Sequence, residues 1–166
     1  MNPEMKITNF LHEMLQWEKK RYSIIRSPDY RSSKDGTRDI ENNKSREELT
    51  NIFSKYLSPK AVKTVGGAKI STMGVGNPPI YDQSIDSVED SGKKIKIICI
   101  SNNSALLDQK IKYTVIQDED HWVIDEIHSS EDGITWKKKI LFNEFIAMPI
   151  NAKKLKHFLV DYGAPE

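Results

Sequence analysis

The strongest constraint in this chain is a change of hydrophobic period partway along it. In the first part apolar side chains recur at helical spacing, and further on they alternate. A helical period buries a stripe of a helix, whereas an alternating period buries one face of a strand. The two parts therefore fold into different elements that segregate, and the fold class is α+β.

The opening segment reads as a helix. Asn2 can cap it and Pro3 suits its first position. Ile7, Phe10, Leu11, Met14, Leu15, Trp17, Tyr22 and Ile25 form its apolar face, and Glu18, Lys19, Lys20 and Arg21 its wet side. Ser27-Pro28 ends it, because a residue before proline is pushed out of the helical region. Residues 28 to 44 show no periodicity and read as a long loop. Ser45 and Glu48 then spell a capping box ahead of Leu49, Ile52, Phe53, Tyr56 and Leu57, so a second helix is expected from Ser45. Ser58-Pro59 closes it and opens a short third helix through Val65, which Gly66-Gly67 breaks.

Strands follow. Ile80 to Val88 is expected as an edge strand, with Lys93 to Ser101, Lys110 to Gln117, His121 to His128 and Ile134 to Phe142 after it. In the fourth, Trp122 and Ile124 share one face, and Val123, Asp125 and Ile127 the other. The turns between are short and polar, which implies an antiparallel meander. A last helix carries Leu155, Phe158, Leu159 and Tyr162 and stops at Gly163. The expected organisation is one domain over residues 1–142, with a helical extension over 143–166 packed on it.

Charge sets limits on function. Lys and Arg number 25 against 24 Asp and Glu, a net charge of +1, which argues against direct binding of nucleic acid. No run of apolar residues approaches the length of a membrane span, and no export signal opens the chain, so a cytoplasmic location is expected. Cys99 is the single cysteine, and His12, His121, His128 and His157 are dispersed, so no metal site and no cofactor is expected. No phosphate-binding glycine loop and no nucleophile elbow occurs. Cys99 lies among isoleucines and reads as a core filler.

Two constellations remain. Trp17, Tyr81, Tyr113 and Trp122 could line a ligand pocket, and Asp82, Asp86, Asp125 or Glu126 could supply a general base to it. The other is acidic: Asp118, Glu119, Asp120, Asp125, Glu126, Glu131 and Asp132 fall in one stretch without a Lys or Arg, and Asp82, Asp86, Glu89 and Asp90 add to them upstream. Such a surface steers toward a basic partner.

Four stretches carry a resemblance to a known family. They are Phe10-x-x-x-Met14-x-x-Trp17-Glu18, then Glu47-Glu48-Leu49-x-x-Ile52-Phe53-x-Lys55-Tyr56-Leu57-Ser58, then Pro78-Pro79-x-Tyr81-Asp82, and last Lys112-Tyr113-x-Val115 with His121-Trp122-x-Ile124-Asp125. In this order they resemble the nuclear-transport-factor-2-like superfamily, and within it the bacterial immunity proteins of polymorphic toxins. The resemblance covers roughly residues 5 to 128. It implies a cone-shaped domain in which a bent antiparallel sheet wraps the N-terminal helices. It also implies a stoichiometric inhibitor that blocks a cognate toxin, a nuclease being one class with a basic cleft, and no enzymatic activity. A cone-fold small-ligand binder or isomerase- or dehydratase-like enzyme is the alternative, and a homodimer through the outer face of the sheet is a third reading.

Overall fold

The computed structural model describes residues 2–65, 75–106 and 108–138. Four helices precede five strands: α1 Pro3–Arg26, α2 Pro28–Ser32, α3 Thr37–Tyr56, α4 Pro59–Val65, β1 Gln83–Asp90, β2 Lys94–Ser101, β3 Lys110–Asp118, β4 His121–Ser130 and β5 Lys137–Lys138. The strands form one antiparallel sheet in chain order. The α+β expectation and the meander both hold. The expected last helix and the continuation of the last strand beyond 138 lie outside the described residues.

Helix α1 begins as its sequence requires, with the Asn2 side chain accepting from the Met5 N–H at 2.8 Å. It runs antiparallel to α3, and polar contacts fix the pairing along its length. The Tyr56 hydroxyl donates to Glu13 at 2.7 Å, the Trp17 indole N–H to the Ser45 carbonyl at 2.9 Å, and Arg21 to Asn42 at 2.6 Å.

The long loop and the capping box are both corrected. Residues 28–32 are helical, and α3 starts at Thr37, eight residues before Ser45, which is buried in mid-helix. Its start depends on local polar groups rather than on periodicity. Gly36 takes φ 86°, which favours glycine, and the Asp35 carboxylate accepts from the Thr37 N–H at 3.1 Å and hydroxyl at 2.7 Å. Those bonds hold the Asp35 carboxyl down at about 2. The first turns of α3 carry almost no apolar residue, so no period announced them.

The core lies between α1, α3 and the inner face of the sheet. Phe10 is wholly buried and makes edge-to-face contacts with Tyr56 at 5.6 Å, Tyr81 at 6.2 Å and Tyr113 at 6.0 Å. Ile97, Cys99, Ile111, Val115, Ile124 and Ile127 supply the sheet's side of it.

Two one-residue bulges shape that sheet. Ile85 pairs with Cys99 but Ser87 with Ile98, leaving Asp86 extra in β1; Thr114 pairs with Glu126 but Val115 with Ile124, leaving Asp125 extra in β4. The second corrects the assignment of faces in β4. Three residues apart, Ile124 and Ile127 would point oppositely in a regular strand, yet both are buried, because the bulge resets the alternation between them.

Glu18 is corrected as well. It is 1% exposed, not on the wet side of α1. Its carboxylate accepts from the backbone N–H groups of Gly76 at 3.1 Å, Ile80 at 3.0 Å and Tyr81 at 3.1 Å. With those N–H groups occupied, residues 80 and 81 cannot enter the ladder, and β1 starts at Gln83 rather than Ile80. Gly76 is needed at this site, since a Cβ there would come within 2.9 Å of the Pro78 carbonyl oxygen. The last strand also starts late. Asp132 accepts from the Ile134 and Thr135 N–H groups at 2.8 and 2.7 Å, so Ile134 is 83% exposed and pairing begins only at Lys137.

Replacing Glu18 by Ala takes the acceptor from one buried and two part-buried N–H donors, so Glu18→Ala should lower unfolding free energy by about 3 kcal/mol in urea titration. Glu18→Gln, which keeps an acceptor oxygen, should cost less.

Candidate functional site

The structure divides the seven acids of the expected surface into three sets. Asp118, Glu119 and Asp120 are exposed at the β3–β4 turn, where Glu119 has φ 51°. Asp125 and Glu126 lie midway along β4. Glu131 and Asp132 follow its far end, about 30 Å from the turn at the usual rise of an antiparallel strand.

The middle set is engaged within the fold. Asp125, 9% exposed, accepts from the Ser58 hydroxyl at 2.8 Å and the Lys60 ammonium at 3.1 Å. Lys60 also reaches Glu126 at 3.0 Å. Burial opposes the charge on Asp125, but the Ser58 and Lys60 bonds outweigh it, and its carboxyl titrates below the ordinary range. The Ser58 N–H donates to the Ile124 carbonyl at 2.9 Å, so this cluster pins the start of α4 beside the bulge. Asp132 is exposed but also committed, its carboxyl held well below the usual range by the Thr135, Ile134 and Ser130 donors around it.

The topology adds acids that chain order separates. The β1–β2 turn lies at the same end of the sheet as the β3–β4 turn, about 10 Å away at ordinary strand spacing. It brings the exposed Glu89 and Asp90 beside Asp118, Glu119 and Asp120, against Lys93 and Lys94.

The pocket residues are placed differently. Trp17, Tyr81 and Tyr113 are buried in the core, and Trp122 packs half-buried against it. Tyr113 donates to Gln83 at 3.2 Å and Tyr81 stacks edge-on against Phe10, so both rings serve packing. Asp82 accepts from the Asn102 amide at 2.8 Å, and Asp86 is exposed 3.8 Å from Lys110. Burial, with Asp86 nearby, pushes the Cys99 thiol up to about 12. Among the described residues no three His, Cys, Asp or Glu side chains come together as metal ligands, and no helix is long and apolar enough to cross a membrane.

One surface was not among the candidate sites read from the sequence, although the alternation places lysines on the outer face of the sheet. The outward residues of β2 and β3 include Lys94, Lys96, Lys110 and Lys112, and the Lys112 ammonium sits 4.1 Å from the centroid of the Trp136 ring. The alternation of lysine with isoleucine was the signal for it, but only the ladder shows which lysines adjoin.

Two measurements check this account. Because the folded value of Asp125 is depressed, its contribution is complete above the unfolded value of about 3.9 and is lost as pH falls through the lower folded one. Asp125→Asn should therefore cost about 2 kcal/mol near neutrality, and the gap to the unmodified chain should narrow in acid, as read by urea midpoints. Cys99 should not react with a disulfide reagent until the chain unfolds.

Comparison with known proteins agrees with this architecture. Residues 2–140 match the family described as NTF2 fold immunity protein. The chain is 28% identical over 123 residues to the immunity protein RhsIA of Dickeya dadantii (strain 3937), covering 74% of this chain and 83% of that one. No solved structure matches it. A family match that spans helices and sheet alike, over a chain with these elements in this order, leads to one conclusion: this chain belongs to the NTF2 fold immunity proteins, and its function is toxin-neutralising immunity.

Proposed function

We propose that the chain neutralises its cognate toxin by binding it directly and covering the active site, in the cytoplasm and without turnover. The contact centres on Asp118, Glu119 and Asp120, with Glu89 and Asp90 beside them and Glu131 as an outlying contact. Asp125, Glu126 and Asp132 contribute by holding α4 and the turn after β4 in place. The partner is a toxin with a basic cleft, as in a nuclease. The observation that carries this reading is the convergence of two acidic turns at one end of the sheet, five carboxylates against Lys93, Lys94 and Lys96, the last of them 3.6 Å from Glu89.

The physics suits the task. Exposed carboxylates on two hairpin turns are presented by a rigid ladder and lose little entropy on binding. They raise the rate of encounter with a basic cleft, and the sign of the field excludes nucleic acid from competing for the same surface. Turnover needs a group aimed at a substrate, whereas Asp82, Asp125 and Glu126 already hold partners within the fold.

The test is binding and protection. Asp118→Lys with Asp120→Lys should weaken the complex with the toxin encoded beside this gene by about tenfold or more, chiefly through slower association that added salt masks. Stability should change by less than about 0.5 kcal/mol, since both positions are exposed. Unchanged affinity and unchanged growth protection would remove this end of the sheet from the interface.

A further inference from the structure

The register of the ladder maps the outer face of the sheet, because directly paired residues share a face. Its middle row runs Ser87, Ile98, Lys112, His128 and Lys138 across all five strands. The flanking rows are Glu89, Lys96, Thr114 and Glu126 on one side, and Ser84, Ile100, Lys110 and Ser130 on the other. Lys112 stands at the centre, held against Trp136.

The charges on this face are not matched. Glu89 pairs with Lys96 at 3.6 Å, Asp86 with Lys110 at 3.8 Å, and Glu126 with Lys60 at 3.0 Å. Among the described residues, Lys112 and Lys138 have no carboxylate within ion-pair distance. Burial and the neighbouring Lys96 lower the Lys112 ammonium below its ordinary value, and the more distant Glu89 and Glu126 offset this only in part. Among the described residues, the buried Nδ1 of His128 finds no hydrogen-bond partner. Ile98, Ile100 and Trp136 are half-buried. A cation, an indole and aliphatic side chains inside a polar rim have the composition of a binding hot spot.

We propose that this outer face, centred on Lys112, is a second contact surface for the toxin and receives a carboxylate-bearing segment of it. The proposal rests on the toxin-binding reading above and adds a site of opposite charge to it. A second copy of the chain is the poorer occupant, because a two-fold pairing sets the same lysines against each other. A toxin that presents an acidic segment beside its basic cleft meets both surfaces, and one that lacks it is rejected by the unpaired ammonium.

The experiment uses the full chain and the catalytically inactivated toxin from the neighbouring reading frame. Lysine acetylation, read by mass spectrometry, is followed at Lys112 in the free chain and in the complex. Lys112 should react in the free chain at every protein concentration and about fivefold or more slowly in the complex. Protection in the free chain at all concentrations means that its own residues cover the face, and protection that grows with concentration means a second copy does; either overturns the proposal. Lys112→Glu should raise the Kd about tenfold or more, and Lys112→Arg should restore binding to within about twofold. Lys112→Glu binding at full strength also overturns it. If Lys112→Glu weakens binding while Asp118→Lys with Asp120→Lys does not, the outer face stands and the acidic end falls. The reverse pattern removes the outer face alone.

Discussion

A buried carboxylate on a helix, bonded to three backbone N–H groups of a distant segment, sets how this protein is assembled. Glu18 projects from α1 into three N–H groups of the segment that leads into the sheet. Left unpaired, either the charge or the donors would carry a large desolvation penalty, so helix and segment are stable only together. This one contact fixes where α1 lies relative to the sheet and where β1 begins. It also holds Tyr81 against Phe10, around which the aromatic core is built.

Aspartates at bulges perform a related task within the sheet. At Asp125 the ladder gains a residue, the side chain turns to Ser58 and Lys60, and Ile124 and Ile127 both reach the core. A bulge bends its strand and raises the local twist, which suits a sheet that must accommodate two helices on one face. Three of the seven acids that read as one surface in the sequence, Asp125, Glu126 and Asp132, are therefore structural. The remainder stands at hairpin ends, where an inhibitor can present it without disturbing the fold.

The immunity function and this architecture fit together. The toxin-binding reading proposed above calls for a rigid, charged surface, and the ladder carries two candidates: an acidic end made of turns and an outer face on which lysines outnumber their partners. Surfaces of opposite charge on one scaffold specify a partner more narrowly than either alone, because a mismatched protein meets repulsion at one of them.

The sequence by itself determined the class of fold, the order of its elements apart from the short α2, the burial of Cys99 and the family, because hydrophobic period and local motifs are properties of neighbours along the chain. It placed α1, α4 and the central strands close to their true ends. It missed the start of α3, whose cap is built from Ser33, Asp35 and Gly36 and whose first turns lack an apolar stripe. It put Glu18 in solvent, since nothing local says that three N–H groups more than 50 residues away will close on it. Only the tertiary structure decided which carboxylates are spent inside the fold, which turns meet at one end, and which lysines share a face. Those depend on register, and register follows from how bulges and buried polar groups satisfy the whole backbone at once.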